Sequence, residues 1–332
     1  MNASNGFFGH VITAMVTPMM LNAAATKPCA QDDLFNAVDI DYECAEKLAV
    51  HLVNQGSDAL VISGTTGEAP VTHLDEKGLL IRRVRTALEK AFPGRRVPLI
   101  GGVGSNDTAH VLANIKVAVD AGVDALLIVT PYYSRPSQHS MQAHFENIAK
   151  ATDLPIILYD VPGRSGVKIA PKTYLALAGI PNVVAIKDAT GDVFSALKTL
   201  TCCNEKRSAL GLPDLTLYSG DDGLLLPFLS VGASGIISVA SHLVSSGFKE
   251  SISAWNEGDT ARALDEFRKC VWAVDLLNGA GQQAAATKAA LFAQGLLGQN
   301  VMRLPNCAFS GDEYATIADK VHENIGGALN NK

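Results

Sequence analysis

Three features of the sequence predict an α/β fold, a closed (β/α)8 TIM barrel with a C-terminal helical extension. Short apolar runs recur eight times. Each is followed by a Gly, Pro or polar cluster and then a helical pattern. The runs are apolar throughout rather than alternating, which signals parallel strands covered on both faces. Eight such units in one chain favour closure into a barrel over an open doubly wound sheet, which carries fewer regular units.

The runs, in order, are "HVITAMVTP", "DALVISGTTGE", "VPLIGGVGSND", "DALLIVTPYY", "LPIILYDVPGR", "VVAIKDATGD", "LTLYSGDD" and "SGIISVASH". Helical segments lie between them, such as "DYECAEKLAVHLVNQG", stopped by Gly56, and "DTAHVLANIKVAVDAG", stopped by Gly122. A Gly just past the last apolar position is a common helix stop. No GxGxxG opens a first helix, so nothing supports a dinucleotide site. The barrel is expected over 1–242 and an all-helical extension over 243–332. In the extension, "GDTARALDEFRKCVWAVDLLNG" puts Ala263, Phe267, Val271, Val274 and Leu277 on one helical face. Ser310 and Glu313 form a capping-box pattern before "YATIADKVHENI". The polar inserts at 21–39 and 201–214 read as surface loops.

Bulk composition narrows the function. The chain has 332 residues, 48% apolar and 18% charged, with a net charge of −6. There is ample material for a large core. No basic run appears, so a nucleic-acid or anionic-membrane surface is not expected. Residues 223–248 lack Asp, Glu, Lys and Arg, yet Pro227, Gly232, Gly235 and six serines interrupt them. A short helix followed by a buried strand explains that stretch better than a membrane span. The N-terminal residues lack a basic region and a long apolar core, so no signal peptide is expected. Six cysteines without CxxC spacing read as reduced thiols of a cytoplasmic protein, the pair Cys202–Cys203 as surface thiols. They suggest no zinc site, and no metal is expected.

Chemistry in such barrels sits at the C-terminal ends of the strands, and the unusual polar residues collect there. Thr65, Thr66 and Glu68 follow the second run, and Tyr132, Tyr133 and Arg135 the fourth. Tyr159 and Arg164 end the fifth, Lys187 the sixth, and Ser219, Asp221 and Asp222 the seventh. By strand alternation Val183, Ala185 and Lys187 share one face. If the small Ala185 points into the lumen, so does Lys187. A desolvated lysine has a lowered pKa and a neutral fraction able to attack a ketone as a Schiff-base nucleophile. A salt bridge to Asp188 is the competing reading, but Asp188 points to the opposite face. "GASG" (232–235) could form a phosphate cup, but no Lys or Arg lies near it.

Taken together, "GTTGEA", "TPYYSRPSQ", "ILYDVPGRSG", "AIKDATGD", "YSGDD" and "GASGIISV" resemble the dihydrodipicolinate synthase family. That family lies in the class I pyruvate aldolase superfamily with N-acetylneuraminate lyase. The resemblance runs from about residue 9 to 305. It implies that Lys187 forms a Schiff base with pyruvate and that Tyr159 passes protons. Thr65 would link Tyr159 to Tyr133, which would reach in from a neighbouring subunit. Thr66 would bind the pyruvate carboxylate, and Arg164 the carboxylate of L-aspartate 4-semialdehyde. Backbone near Gly220 and Ile237 would line the pocket.

The resemblance further implies condensation of the two substrates on the route to lysine and diaminopimelate. It implies a cytoplasmic homo-oligomer, a dimer of dimers, with no cofactor beyond the covalent adduct. A related aldolase acting on a sugar acid is the alternative. Arg164 and Tyr133 weigh against it, because a polyhydroxylated substrate wants neutral partners there. Two departures stand out. Leu74, Lys77, His110 and Ala69 occupy positions matching the family's lysine-binding pocket, where Asn106 and Tyr132 remain, so weak or absent lysine feedback is expected. "GAGQQAAATK" stands before Leu291, where the family often has Pro residues before a Lys.

Overall fold

The computed structural model describes residues 7–22 and 37–329. Eight parallel strands close into a barrel. They are β1 (Val11–Ala14), β2 (Ala59–Ile62), β3 (Leu99–Gly102), β4 (Ala125–Val129), β5 (Ile156–Asp160), β6 (Val183–Asp188), β7 (Thr216–Ser219) and β8 (Gly235–Ser238). Each pairs with its successor, and β8 returns to β1. All eight coincide with the apolar runs. The crossover helices are α1 (Tyr42–Asn54), α2 (Leu74–Ala91), α3 (Thr108–Asp120), α4 (Gln138–Lys150), α5 (Pro171–Leu177), α6 (Val193–Ala209), α7 (Leu225–Ser230) and α8 (Ser241–Asn256). Asp41 and Asp107 cap α1 and α3 by accepting from the Cys44 and Ala109 amides. Gly56 and Gly122 follow those helices with φ of 115° and 90°, as expected of glycine stops. No helix among the described residues is long and apolar enough to cross a membrane.

Strand alternation sorts the core into two layers. Ile12, Val61, Ile100, Leu127, Ile157, Ala185, Tyr218 and Ile237 pack together in the lumen. Leu60, Leu99, Leu126, Leu158 and Ile186 face outward into the helices. The expected common face of Val183, Ala185 and Lys187 breaks at one point. Ile156 pairs with Val183 but Ile157 pairs with Ala185, so Val184 is a bulge. One extra residue reverses the parity N-terminal to it. Val183 therefore joins the outer core, while Ala185 stays in the lumen. Where β8 meets β1, a Cβ on Gly235 would lie 2.0 Å from the His10 carbonyl oxygen. That contact explains the glycine, which belongs to the strand seam and not to a phosphate cup.

Most of the insert at 201–214 is not a loop; only 210–214 lack regular structure. Residues 201–209 continue α6, because Arg207 is buried and caps backbone carbonyls around the β6 entrance. It donates to Ala178 at 3.1 Å and Val183 at 2.9 Å, and also to Pro213. Cys203 is buried beside it and only Cys202 is exposed, so the pair is not two surface thiols. In the insert at 21–39, residues 23–36 lie outside the described residues. Its ends join a two-stranded antiparallel ribbon in which Met19–Leu21 pairs with Val38–Ile40.

The boundary expected at 242 falls inside α8, which packs against β1 and α1 as the eighth barrel helix. The extension proper comprises α9 (Thr260–Arg268), α10 (Val271–Gly279), α11 (Gln283–Ala293) and α12 (Gly311–Leu329). The single amphipathic helix expected over 258–279 is interrupted between α9 and α10. Cys270 turns inward onto Gly247, where a Cβ would lie 2.5 Å from its sulfur. Cys270 and Ala273 are thereby buried, and Val271 is 37% exposed instead of facing the core.

The extension is fastened to the barrel by a buried ion pair. Lys288 of α11 and Glu68 after β2 are 0% and 1% exposed and in direct contact. Lys288 also donates to the Val301 carbonyl at 2.9 Å. Arg303 grips the Val38 and Val71 carbonyls and the Glu76 carboxylate. Removing one partner of a buried pair strands the other charge without solvent. Lys288→Met is therefore expected to lower unfolding stability by about 3–5 kcal/mol. Adding Glu68→Met should recover much of that loss, as read by chemical denaturation. A single substitution no worse than a surface change would contradict this account.

Candidate active site

The register of β5 on β6 sets the site. Tyr159 and Lys187 are Cα partners at the C-terminal ends of adjacent strands. Both side chains enter the mouth of the lumen, with the Lys187 Nζ 4.2 Å from the centroid of the Tyr159 ring. Lys187 is 5% exposed. Burial pushes its pKa down to about 8, with the Asp222 carboxylate opposing the shift and the Arg164 guanidinium adding to it. At neutral pH about a tenth of the amine is then uncharged, against fewer than roughly one in a thousand for a solvated lysine. Burial likewise raises the Tyr159 hydroxyl to about 12, Arg164 working against it and Asp160 with it.

Lys187 makes no ion pair with Asp188, and the geometry shows why. Asp188 lies on the outer face, where its Oδ1 accepts from the Thr190 amide at 2.8 Å. Asp222, singled out in the sequence, is buried after β7, and its Oδ2 accepts from the Val239 and Ala240 amides at 3.2 and 2.8 Å. It thus ties the β8–α8 turn and supplies negative charge on the Lys187 side of the barrel. Gly220 is pressed against the lysine stem: an added Cβ would lie 3.1 Å from the Lys187 Cε and 2.9 Å from the Ala189 Cβ. Its amide donates to the Asp188 carbonyl at 2.7 Å. Ile237 of β8 is buried in the lumen with Ala185 and Tyr218.

The turn after β2 folds tightly between two left-handed residues, Ser63 and Glu68, each with φ of 58°. The Glu68 amide donates to the Thr65 carbonyl, the Ala69 amide to Gly64, and the Thr17 hydroxyl to Gly67. Thr66 is buried and Thr65 exposed on this rim. Among the described residues no hydrogen bond joins Thr65 to Tyr159 or Tyr133. Tyr133 is 90% exposed with φ of 70°, a conformation that turns it away from its own barrel. Arg135 follows in the same loop and rests on Gly166, where a Cβ would lie 2.8 Å from its Nε.

Arg164 projects from a single helical turn, Pro162–Ser165. Its Nη2 donates to the Gln283 Oε1 at 2.8 Å. Lys77, half-buried, turns inward and donates to the Asn114 Oδ1 at 3.3 Å. Burial lowers its pKa.

Sequence reasoning placed Asp188 on the outer face but missed Asp160, its partner behind the site. Asp160 and Asp188 are Cα partners directly after Tyr159 and Lys187. The signal was present as "YD" and "KD" in aligned strands. Asp160 is fully buried; its Oδ2 accepts from the Ile169 amide at 3.0 Å and the Tyr174 hydroxyl at 3.2 Å. Its Oδ1 has no partner among the described residues. Burial, reinforced by Asp188, pushes its pKa up from 3.8 to about 7. A carboxyl whose folded pKa lies above its unfolded value favours the fold when protonated. That stability is fully present below about pH 4 and is lost as pH rises through about 7. The thermal midpoint is therefore expected to fall across this window, and Asp160→Asn should flatten the fall. An unchanged slope in the variant would count against the buried carboxyl.

The dihydrodipicolinate synthetase family model matches residues 8–324. The chain is 42% identical over 312 residues to a 4-hydroxy-tetrahydrodipicolinate synthase of Bifidobacterium animalis subsp. lactis (strain AD011), covering 94% of this chain and 92% of that one. A dihydrodipicolinate synthase from Bacillus anthracis superposes with a TM-score of 0.80 at 39% identity, covering 95% of this chain and 98% of that one. The enzyme of Cyanidioschyzon merolae, crystallised with lysine bound, gives a TM-score of 0.83 at 33% identity, covering 98% and 99% of the two chains.

Proposed function

The chain belongs to the dihydrodipicolinate synthetase family, and from that premise we propose how its site works. The activity is that of a 4-hydroxy-tetrahydrodipicolinate synthase, a lyase of lysine and diaminopimelate biosynthesis. The observation that carries the mechanism is the buried, weakly basic Lys187 facing Tyr159.

The neutral Lys187 amine adds to the pyruvate ketone, and loss of water leaves a cationic iminium. A hydroxyl poised beside the amine suits Tyr159 to proton transfer in both steps. Thr66 and the turn amides hold the pyruvate carboxylate. The iminium draws electrons from the neighbouring methyl carbon, which loses a proton and becomes an enamine. That carbon then attacks the aldehyde of L-aspartate 4-semialdehyde. The planar fork of Arg164 matches the carboxylate of this second substrate. The substrate's own amine displaces Lys187 from the iminium, closing the ring and freeing the lysine. The iminium supplies the electrophilic activation, so the reaction as written needs no metal.

Tyr133 supports an oligomeric site. An aromatic side chain turned fully outward, in a left-handed backbone conformation, suits insertion into a neighbouring copy, where it would meet Thr65 and Tyr159. The assembly that follows is a dimer, paired into a tetramer. The free thiols fit a cytoplasmic setting. A sugar-acid aldolase is disfavoured by the exposed, charged Arg164 and by the names of the relatives.

Pyruvate with borohydride should add covalent mass at Lys187, and Lys187→Ala should abolish both adduct and turnover. An adduct elsewhere, or none, would overturn the mechanism. The rate of pyruvate capture should climb with pH and level off above about pH 8, where Lys187 is neutral. A capture rate flat from pH 6 to pH 9 on the order of that range would show that the amine's protonation does not limit the step.

A further inference from the structure

An arginine that reads a carboxylate with its planar edge must be held in one orientation, because the free side chain has many rotamers. Arg164 stands exposed at the rim on its short turn, and among the described residues it forms no ion pair with a carboxylate. Its side-chain grip comes from outside the barrel, from Gln283 at the first turn of α11. The Gln283 amide is itself oriented: its Nε2 donates to the Asn278 Oδ1 at 2.6 Å. With the nitrogen committed to Asn278, the oxygen faces the guanidinium. The extension thus reaches the substrate rim through a two-amide relay.

The chemistry of the acceptor matters. A carboxylate at position 283 would pair with Arg164 and compete with an anionic substrate. An amide oxygen fixes the direction of the guanidinium and leaves its full charge available. The relay stands on a fixed base. About one and a half turns along α11, Lys288 is locked to Glu68, whose turn carries Thr65 and Thr66. One helix of the extension therefore touches both carboxylate-reading edges of the site. The "GAGQQAAATK" stretch, which departs from the family pattern, is where these contacts originate.

We propose that Gln283, oriented by Asn278, is a positioning residue that presents Arg164 to the carboxylate of the second substrate. The inference rests on the reading of Arg164 given under the proposed function. It makes the C-terminal extension a determinant of aldehyde specificity.

The test is steady-state kinetics on the full-length chain with each substrate varied in turn. Gln283→Ala should raise the aldehyde KM about five- to tenfold, the effect of losing one hydrogen bond at an exposed position, and change the pyruvate KM far less. Gln283→Glu should raise it further, with an increment that shrinks as salt is added. Arg164→Ala combined with Gln283→Ala should be no worse than Arg164→Ala alone. If both Gln283 variants keep the parent aldehyde KM while Arg164→Ala raises it, the inference fails and the role of Arg164 stands. If Gln283→Ala shifts both KM values equally, Gln283 is a packing residue and the inference fails. If Arg164→Ala leaves the aldehyde KM unchanged, the reading of Arg164 fails and takes the inference with it.

Discussion

Desolvation of one amine governs the design. Moving the Lys187 pKa from 10.5 to about 8 corresponds to roughly 3 kcal/mol against the charged form. The barrel achieves this with geometry already fixed by its strands. The lumen below is filled by Ile157, Ala185, Tyr218 and Ile237, so water cannot reach the amine from beneath. The Tyr159 ring lies against it. A ring face favours a cation, as does Asp222, so burial must outweigh both. The outcome is an amine that is neutral often enough for the nucleophilic role proposed above, beside groups that would steady the iminium of that proposal.

The same strands carry two jobs on opposite faces. Tyr159 and Lys187 face the lumen, and Asp160 and Asp188, one residue on, face the helices. The outer pair shares a low-dielectric space in which two full negative charges are costly. A proton held by Asp160 relieves that cost and keeps net charge behind the site low. Tyr174 and the Ile169 amide satisfy one carboxyl oxygen, which fixes the β5 end.

Much of this was legible in the sequence, and what was hidden has physical causes. The eight strands declared themselves because parallel strands covered on both faces are apolar at every position. Lys187 was legible because a cation at the end of such a strand is anomalous. Val183 was misplaced because a bulge at Val184 leaves no mark on hydrophobic periodicity. The 201–214 stretch looked like a loop because Arg207 reads as a solvated charge until its carbonyl partners are known. Lys288 and Gln283 were opaque for the same reason: their partners, Glu68 and Arg164, lie far away in sequence, and one chain shows no pairing across that distance.

The Glu68–Lys288 contact spans 220 positions. Closing so large a loop is slow relative to local structure, and the order of synthesis delays it further. A nascent chain emerging from the ribosome presents the threonine rim early, with a lone carboxylate awaiting its cation. That cation, Lys288, sits at position 288 of 332, so the contact forms only after most of the polypeptide has been made. The threonine turn is thereby fastened by one of the last segments of the chain to be made.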